Sequence, residues 1–297
     1  MTSRYSNLER PGLDESALRS ALCHPEGPYA RCDVVAETGS TNSDLVEAAA
    51  GSAIDWPDLS VLSAEMQRAG RGRRDRAWVA PERSSLFVSI LLRPVSPRGG
   101  PLPVESYSWM SFLAALALAE SVEERTQVAP RLKWPNDVVV DGRKLAGVLA
   151  QFVGGRAGTP PALVVGIGLN VSLTDQELPV PTATSLLLEY AGTTDRNILL
   201  KSFLRTFAAH YRAFCAVDGD AAAAWADGPG LAARAGARLT TLGQDVRAEL
   251  PGGQQLLGRA MALDGRGALV IRDEAGERHT VAAGDVVHLR PLAEGTR

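Results

Sequence analysis

Three apolar runs and a two-residue turn limit what this chain can fold into. Residues 86–92 read LFVSILL and stop at Arg93-Pro94, residues 137–152 read DVVVDGRKLAGVLAQF, and residues 162–170 read ALVVGIGLN. Short apolar runs closed by turn residues predict strands. Asp141-Gly142 favours a type I′ turn, so Asp137–Val140 and Leu145–Phe152 are expected to pair as a hairpin. Earlier in the chain, a strand is expected from Val34 and another over Ser60–Ala64. Helical patterns lie between them. Ser40-Thr41-Asn42 precedes Leu45 and Val46 as a hydroxyl-capped start. Trp109–Val122 has helical periodicity. Thr194–Phe214 carries Leu199, Leu200, Phe203, Leu204, Phe207 and Tyr211 on one face. Hairpins mixed with helices predict an α+β fold, a mixed sheet flanked by helices.

The texture changes near Leu231. RLTTL, GQDVRAEL, PGGQQLLGRAMAL, DGRGALVIRD and EAGERHTVAAGDVVHL alternate short strands with glycine-rich turns, which predicts a small all-β unit, a barrel. The expected organisation is an N-terminal extension (1–32, with one weak helix near Asp14–Leu22), a main domain (33–228) and a β domain (229–297).

Composition narrows the function. Lys plus Arg is 31 and Asp plus Glu is 34, a net charge of −3, which disfavours bulk nucleic-acid binding. The extension holds too few elements for a winged-helix DNA-binding unit. Cys23, Cys32 and Cys215 form no CxxC, and His24, His210, His279 and His288 are scattered, so neither a disulfide framework nor a zinc site is expected. The opening MTSRYSNLERPG has no apolar core of a signal peptide, and Trp109–Ala119 falls far short of the ~20 residues that cross a bilayer. A reduced, cytoplasmic protein with no membrane partner is expected.

Four segments carry chemistry. In QRAGRGRRDRAW (67–78), Arg68, Arg71, Arg73, Arg74 and Arg76 surround Gly70 and Gly72. Guanidinium forks and close-approaching backbone N–H groups suit an anion, although such a loop is often only a solvated basic surface. In KWPNDVVVDGRKLAGVLAQ (133–151), Lys133, Trp134, Asn136 and Asp137 cluster around Pro135, and Lys144 faces Asp137 across the turn. A Lys/Asp pair on a hairpin is ordinarily a rim salt bridge. Gly147, Gly166 and Gly168 mark close backbone approach, to a ligand or to another strand, and Asn170 ends its strand as a lone polar residue. Ser40 and Thr41 either cap a helix or bind small polar groups at its N-terminus.

In this order, STN at 40–42, Q-x-x-GRGR at 67–73 with Trp78, KWPND at 133–137, RKLAG at 143–147 and GIGLN at 166–170 resemble the biotin–protein ligase family. The resemblance spans about 130 residues of the main domain. It implies the class II synthetase-like core of biotin–lipoate ligases with a C-terminal SH3-like module, and no N-terminal DNA-binding domain of the repressor type. It further implies an ATP-dependent ligase that needs Mg²⁺, held mainly by the nucleotide's phosphates. Such an enzyme converts biotin to biotinyl-5'-AMP and passes it to a lysine of a biotin carboxyl carrier domain of an acyl-CoA carboxylase. It would act as a monomer or homodimer, without DNA.

Carried over by motif, Ser40, Thr41, Asn42 and Gln67 would meet the biotin head. Gly70, Arg71, Gly72 and Gly147 would line its site, with Val148 and Val165 walling its tail. Arg73 would hold the α-phosphate. Arg76, Trp78, Asn136 and Asn170 would serve the nucleotide. Lys144 would bridge carboxylate and phosphate. The acceptor lysine must also lose a proton, for which Asp137 is the candidate carboxylate, with anchoring of Lys144 or of the metal as its alternative roles. Asp75 stands where the family often has glycine, putting an acid inside the arginine loop. A lipoate–protein ligase running the same two steps, and a non-enzymatic nucleic-acid-binding module, are the alternatives.

Overall fold

The computed structural model describes residues 10–51, 53–155, 160–286 and 288–291; most of the polar opening stretch, residues 1–9, lies outside them. The elements run α1 Glu15–Leu22, β1 Arg31–Thr38, α2 Thr41–Ala49, β2 Ser60–Gln67, β3 Ser85–Leu92, α3 Met110–Thr126, β4 Arg131–Lys133, β5 Asp137–Val140, β6 Arg143–Val153, β7 Ala162–Asn170, α4 Arg196–Ala216 and α5 Leu231–Arg238. They continue with β8 Asp245–Glu249, β9 Gln255–Leu263, β10 Leu269–Arg272, β11 Arg278–Val281 and β12 His288–Pro291. A seven-stranded sheet has the order β1-β2-β3-β7-β6-β5-β4, and a separate five-stranded sheet the order β11-β10-β9-β8-β12. Among the described strands only β1 and β2 pair in parallel, so the large sheet is mixed; the small one is antiparallel and SH3-like.

Alternation along the central strands decides what each face does. Leu86, Val88, Ile90 and Leu92 of β3 join Leu163, Val165, Ile167 and Leu169 of β7 in one core with α3 and α4. Leu91 and Val164 point the other way, onto Leu45 and Ala49 of α2. Ser89 and Gly166 share that second face under the first turn of α2, and Gly168 and Asn170 continue it past the helix.

The Asp141-Gly142 turn has positive φ at both residues (48° and 79°), as a type I′ turn requires. Ser40 caps α2 through its side chain, and Asp195 caps α4 by accepting from the backbone of Asn197 and Ile198. One expectation fails. Residues 231–238 form α5, with Leu231 and Ala235 buried one turn apart, and RLTTL makes a single bridge, Leu239 to Leu132, before turning.

The small sheet is seated on two tryptophans. Trp109 Nε1 donates to Gly265 O at 2.9 Å and Trp134 Nε1 to Gly267 O at 3.1 Å. Val246, Ala248, Ala260, Leu269 and Ile271 extend the main core across the junction. At the other end, residues 10–14 strap the body. Arg10 pairs with Glu177 at 2.5 Å, and Leu13 N donates to Glu65, itself paired with buried Arg196 at 2.6 Å. The Arg10 guanidinium, with donors from Thr174, holds the Glu177 carboxyl down at about 2. Its contribution to stability is therefore present above the ordinary carboxylate range and fades as pH falls toward that value.

Fully buried Phe207 and the 40%-exposed Ile198 share α4. Phe207→Ala is expected to lower unfolding stability by about 3–5 kcal/mol. Ile198→Ala is expected to stay within about 0.5 kcal/mol. Urea denaturation of both variants checks this, and equal losses would contradict the assigned faces.

Candidate functional site

The parallel pairing of β1 with β2 brings two chain ends together. Thr38 lies opposite Gln67, and beyond them Arg68 N donates to Thr38 O and Ala69 N to Gly39 O. The N-terminus of α2 and the start of the arginine loop therefore leave the sheet side by side. Thr41 uses both N (2.9 Å) and Oγ1 (3.1 Å) to donate to Gln67 Oε1. With that hydroxyl proton committed, Ser89 Oγ donates to Thr41 Oγ1 at 2.8 Å. Asn42 Nδ2 donates to Gln151 Oε1 at 2.5 Å, and its buried Oδ1 has no hydrogen-bond partner among the described residues.

These groups form one end of a cavity of about 810 Å³. Its floor is a cross-strand row in which Gly168, Gly147 and Asp137 stand opposite one another on β7, β6 and β5, with Phe87 of β3 next in register. The glycines are required by the Trp78 ring. A Cβ on Gly168 would lie 2.6 Å from Trp78 Cε2, and one on Gly147 2.9 Å from Cζ3. Gly166 yields in the same way to Asn42, whose Oδ1 would lie 2.7 Å from an added Cβ. So all three glycines permit close approach of a side chain from outside the sheet.

The hairpin supplies the charge. Lys144 Nζ lies 2.6 Å from Asp137 Oδ1 and 5.2 Å from the centre of the Trp78 ring. Both partners of the pair line the cavity, so it is not a rim feature. Lys144 is fixed from behind by a segment with no signal in the sequence: its N donates to Thr182 O and its O accepts from Thr184 N. Asn136 Nδ2 donates to Val148 O at 2.6 Å, and Asn170 Nδ2 to Thr184 O at 2.9 Å. Both asparagines line the cavity while bracing its walls.

The loop 67–78 closes over this floor through Gly72 N to Arg76 O (2.6 Å) and Trp78 N to Gly70 O (2.8 Å). Arg71, Gly72, Arg73 and Arg76 line the cavity. Gly70 stands at the base of the loop, where an added Cβ would strike Trp78 O. Arg73 Nη1 reaches Asn136 Oδ1 at 3.4 Å. Burial pulls the Arg73 guanidinium below the usual arginine value, Arg76 and Arg74 add to the drop, and Asp137 works against it. Arg68 is not part of the cavity: it pairs with Glu37 on the surface, so the anion-facing cluster is smaller than five arginines. The side chain of Asp75 lies outside the described part of the structure.

Ser40, Thr41, Asn42, Gln67, Arg71, Gly72, Arg73, Arg76, Trp78, Asn136, Asp137, Lys144, Gly147 and Asn170 thus surround one space, with Gly70 beside it. Of the two expected wall residues, Val148 lines the cavity while also packing in the helix-side core, and Val165 sits in that core and does not line the cavity. Leu149, one residue along, is on the cavity face. Ser89, which lines the cavity, and Gln151, which holds Asn42 from outside it, were not anticipated, yet each is a lone polar residue inside an apolar run. Val286 and Leu289 of the small sheet also line the cavity, and nothing local in the sequence marks them.

The Biotin/lipoate A/B protein ligase family matches residues 40–170, and the biotin protein ligase C terminal domain matches residues 241–289. The chain is 42% identical over 286 residues to biotin–[acetyl-CoA-carboxylase] ligase of Mycobacterium tuberculosis, which covers 95% of this chain and 97% of that protein. To the bifunctional ligase/repressor BirA of Bacillus subtilis it is 29% identical over 214 residues, 70% of this chain and 62% of that one. The solved biotin protein ligase from Aquifex aeolicus in complex with biotin and ATP is similar at a TM-score of 0.68 and 25% identity, covering 89% of this chain and 100% of that one.

Because only hydrogen fits at position 168, Gly168→Ala is expected to move the Trp78 ring off the floor and change the protein's tryptophan emission. The same substitution made with Trp78→Phe should leave emission unaltered. A spectral change that persists without Trp78 would contradict the packing.

Proposed function

The chain belongs to the biotin/lipoate A/B protein ligase family, and from that premise we propose how its residues carry the reaction. The protein is an ATP-dependent biotin ligase. A biotin carboxylate oxygen attacks the α-phosphorus of ATP, the bond to the β-phosphate breaks, and biotinyl-5'-AMP and pyrophosphate form. The amine of a lysine on the carboxylase's biotin carrier then attacks the acyl carbon, AMP leaves, and an amide remains.

The first step must press two anions together, which requires fixed positive charge and backbone donors where negative charge accumulates. Lys144 bridges the carboxylate and the α-phosphate, and Arg73 holds the phosphate from the loop side. The observation that carries this reading is Lys144 above a glycine floor, paired with Asp137 and facing Arg73 across one cavity. Ser40, Thr41, Asn42 and Gln67 take the neutral ureido head, and the buried unpartnered Oδ1 of Asn42 suits an N–H of that ring. Gly70, Arg71, Gly72 and Gly147 shape the biotin side, with Leu149 along the tail. Trp78, Arg76, Asn136 and Asn170 shape the nucleotide side. A loop closed over the mixed anhydride keeps water from it.

Mg²⁺ prefers octahedral oxygen and is ordinarily bound by one or two carboxylates together with phosphates. Asp137 is the one carboxylate among the described residues lining the cavity, and one of its oxygens serves Lys144. That donor set fits an ion held chiefly by the triphosphate, whose charge it would offset.

In the second step, an ordinary lysine at pH 7 is neutral about once in 2,500, a cost of about 4.6 kcal/mol. Asp137, through the oxygen not engaged by Lys144, accepts the proton. The seven-stranded sheet with its helices forms the catalytic unit and the five-stranded sheet the smaller one. The protein acts in the cytoplasm, as a monomer or homodimer.

Biotin-dependent exchange of pyrophosphate into ATP tests the reaction; exchange that ignores biotin would overturn it. Lys144→Ala is expected to slow that exchange about 10²–10³-fold, and an unchanged rate would remove Lys144 from its role. Asp137→Asn is expected to slow transfer from preformed adenylate more than it slows exchange; the reverse order would reduce Asp137 to an anchor for Lys144. Cleavage of residues 68–76 by protease is expected to fall when biotin and ATP are both present, and equal cleavage would contradict loop closure.

A further inference from the structure

Arg68 and Arg74 are the members of the arginine loop that the reaction leaves without a task, and of the two Arg74 alone turns to the small sheet. Its backbone is left-handed (φ 54°, ψ 44°), a conformation that residues with a β-carbon avoid. The side chain goes to the small sheet, where Nη2 donates to Gly284 O at 2.9 Å. Beside it, Arg73 Nη2 donates to Ala283 O and to Val286 O (3.2 Å), while Nη1 stays near Asn136 at the cavity. Residues Ala283–Asp285 are a single 3-10 turn between β11 and β12. Three backbone carbonyls from that stretch thus converge on two neighbouring guanidinium groups more than 200 residues away in sequence. Val286 from the same stretch lines the cavity.

Guanidinium groups are planar, five-donor forks that can hold two acceptors at once. A backbone carbonyl is a neutral acceptor, so Arg73 can be held from outside while keeping its charge and its remaining donors for a phosphate. Arg74, held to the same turn, fixes the tip of the loop.

We propose that the 283–286 turn of the small unit is a latch for the arginine loop, and that Arg74 is the positioning residue through which it retains the acyl-adenylate between the two half-reactions. This rests on the reading that the cavity makes an acyl-adenylate. The latch assigns the small unit a part in the chemistry: it sets how long the activated acid stays bound before a carrier arrives.

The test uses the full chain. Adenylate is formed from labelled biotin and ATP without carrier, and its release into an excess of unlabelled biotin and ATP is timed. Arg74→Ala is expected to speed release on the order of tenfold, the worth of one hydrogen bond to a charged group. Two glycines inserted between Gly284 and Asp285 should speed release at least as much, because they displace the carbonyls that hold both Arg73 and Arg74. The two changes combined should release no faster than the insertion alone, since the insertion already breaks the contact that Arg74 makes. Arg74→Lys should recover part of the retention, and the melting temperature of Arg74→Ala should match that of the unaltered chain. Release at the unaltered rate in either variant overturns the latch, as does a combined effect equal to the product of the two. Absence of any adenylate from the unaltered chain overturns the functional reading beneath it, and the latch with it.

Discussion

A β-strand can present a ligand with a side chain, a backbone edge or nothing at all, and three neighbouring strands here present almost nothing. Along β3, β7 and β6, alternate residues pack toward the helix-side core and are apolar. The intervening positions, under the first turn of α2 and past it, are Ser89, Gly166, Gly168 and Gly147. Without side chains at those glycines, the Trp78 ring and the Asn42 amide descend onto bare backbone. The depth of the cavity, the position of its aromatic wall and the reach of Lys144 all follow from that missing volume.

On this floor the chain assembles charge that its overall composition does not suggest. The net charge is −3, yet the described cavity lining holds Arg71, Arg73, Arg76, Lys133 and Lys144 against the single carboxylate of Asp137. Low-dielectric walls strengthen such a local field and draw anions toward it. The positive groups are also separately restrained. Lys144 is tied by Asp137 in front and by the 182–184 segment behind. Arg73 is tied by carbonyls of the small sheet. Arg68 is drawn off by Glu37. Like charges packed into one loop therefore settle on acceptors within the chain, and the groups left facing the cavity are pre-aimed.

Much of this was legible because it is local. The Asp141-Gly142 turn fixes the hairpin, and the hairpin fixes Lys144 beside Asp137. The GRGR, KWPND and RKLAG motifs each sit within a dozen residues and report their own geometry. What sequence reading missed depends on distant partners or on a one-residue difference in facing. Val165 and Gly166 are neighbours on opposite faces of β7, so an apolar run alone did not say which would meet a ligand. The segment LAARAGAR is helical because Leu231 and Ala235 find a buried surface, a tertiary cause that glycine-rich surroundings concealed. The carbonyls that hold Arg73 and Arg74 belong to a turn whose residues carry no chemical signature at all.

The central claim is that a glycine floor, Lys144 and Arg73 together enclose the junction between an acid and a nucleotide phosphate. A crystal structure of the chain grown with biotin and ATP tests it most directly. The account predicts the acyl–phosphate junction above Gly147 and Gly168, within hydrogen-bond distance of Lys144 Nζ and of an Arg73 nitrogen, with the bicyclic ring at Asn42. Ligand density elsewhere, or a junction that touches neither cation, would contradict it.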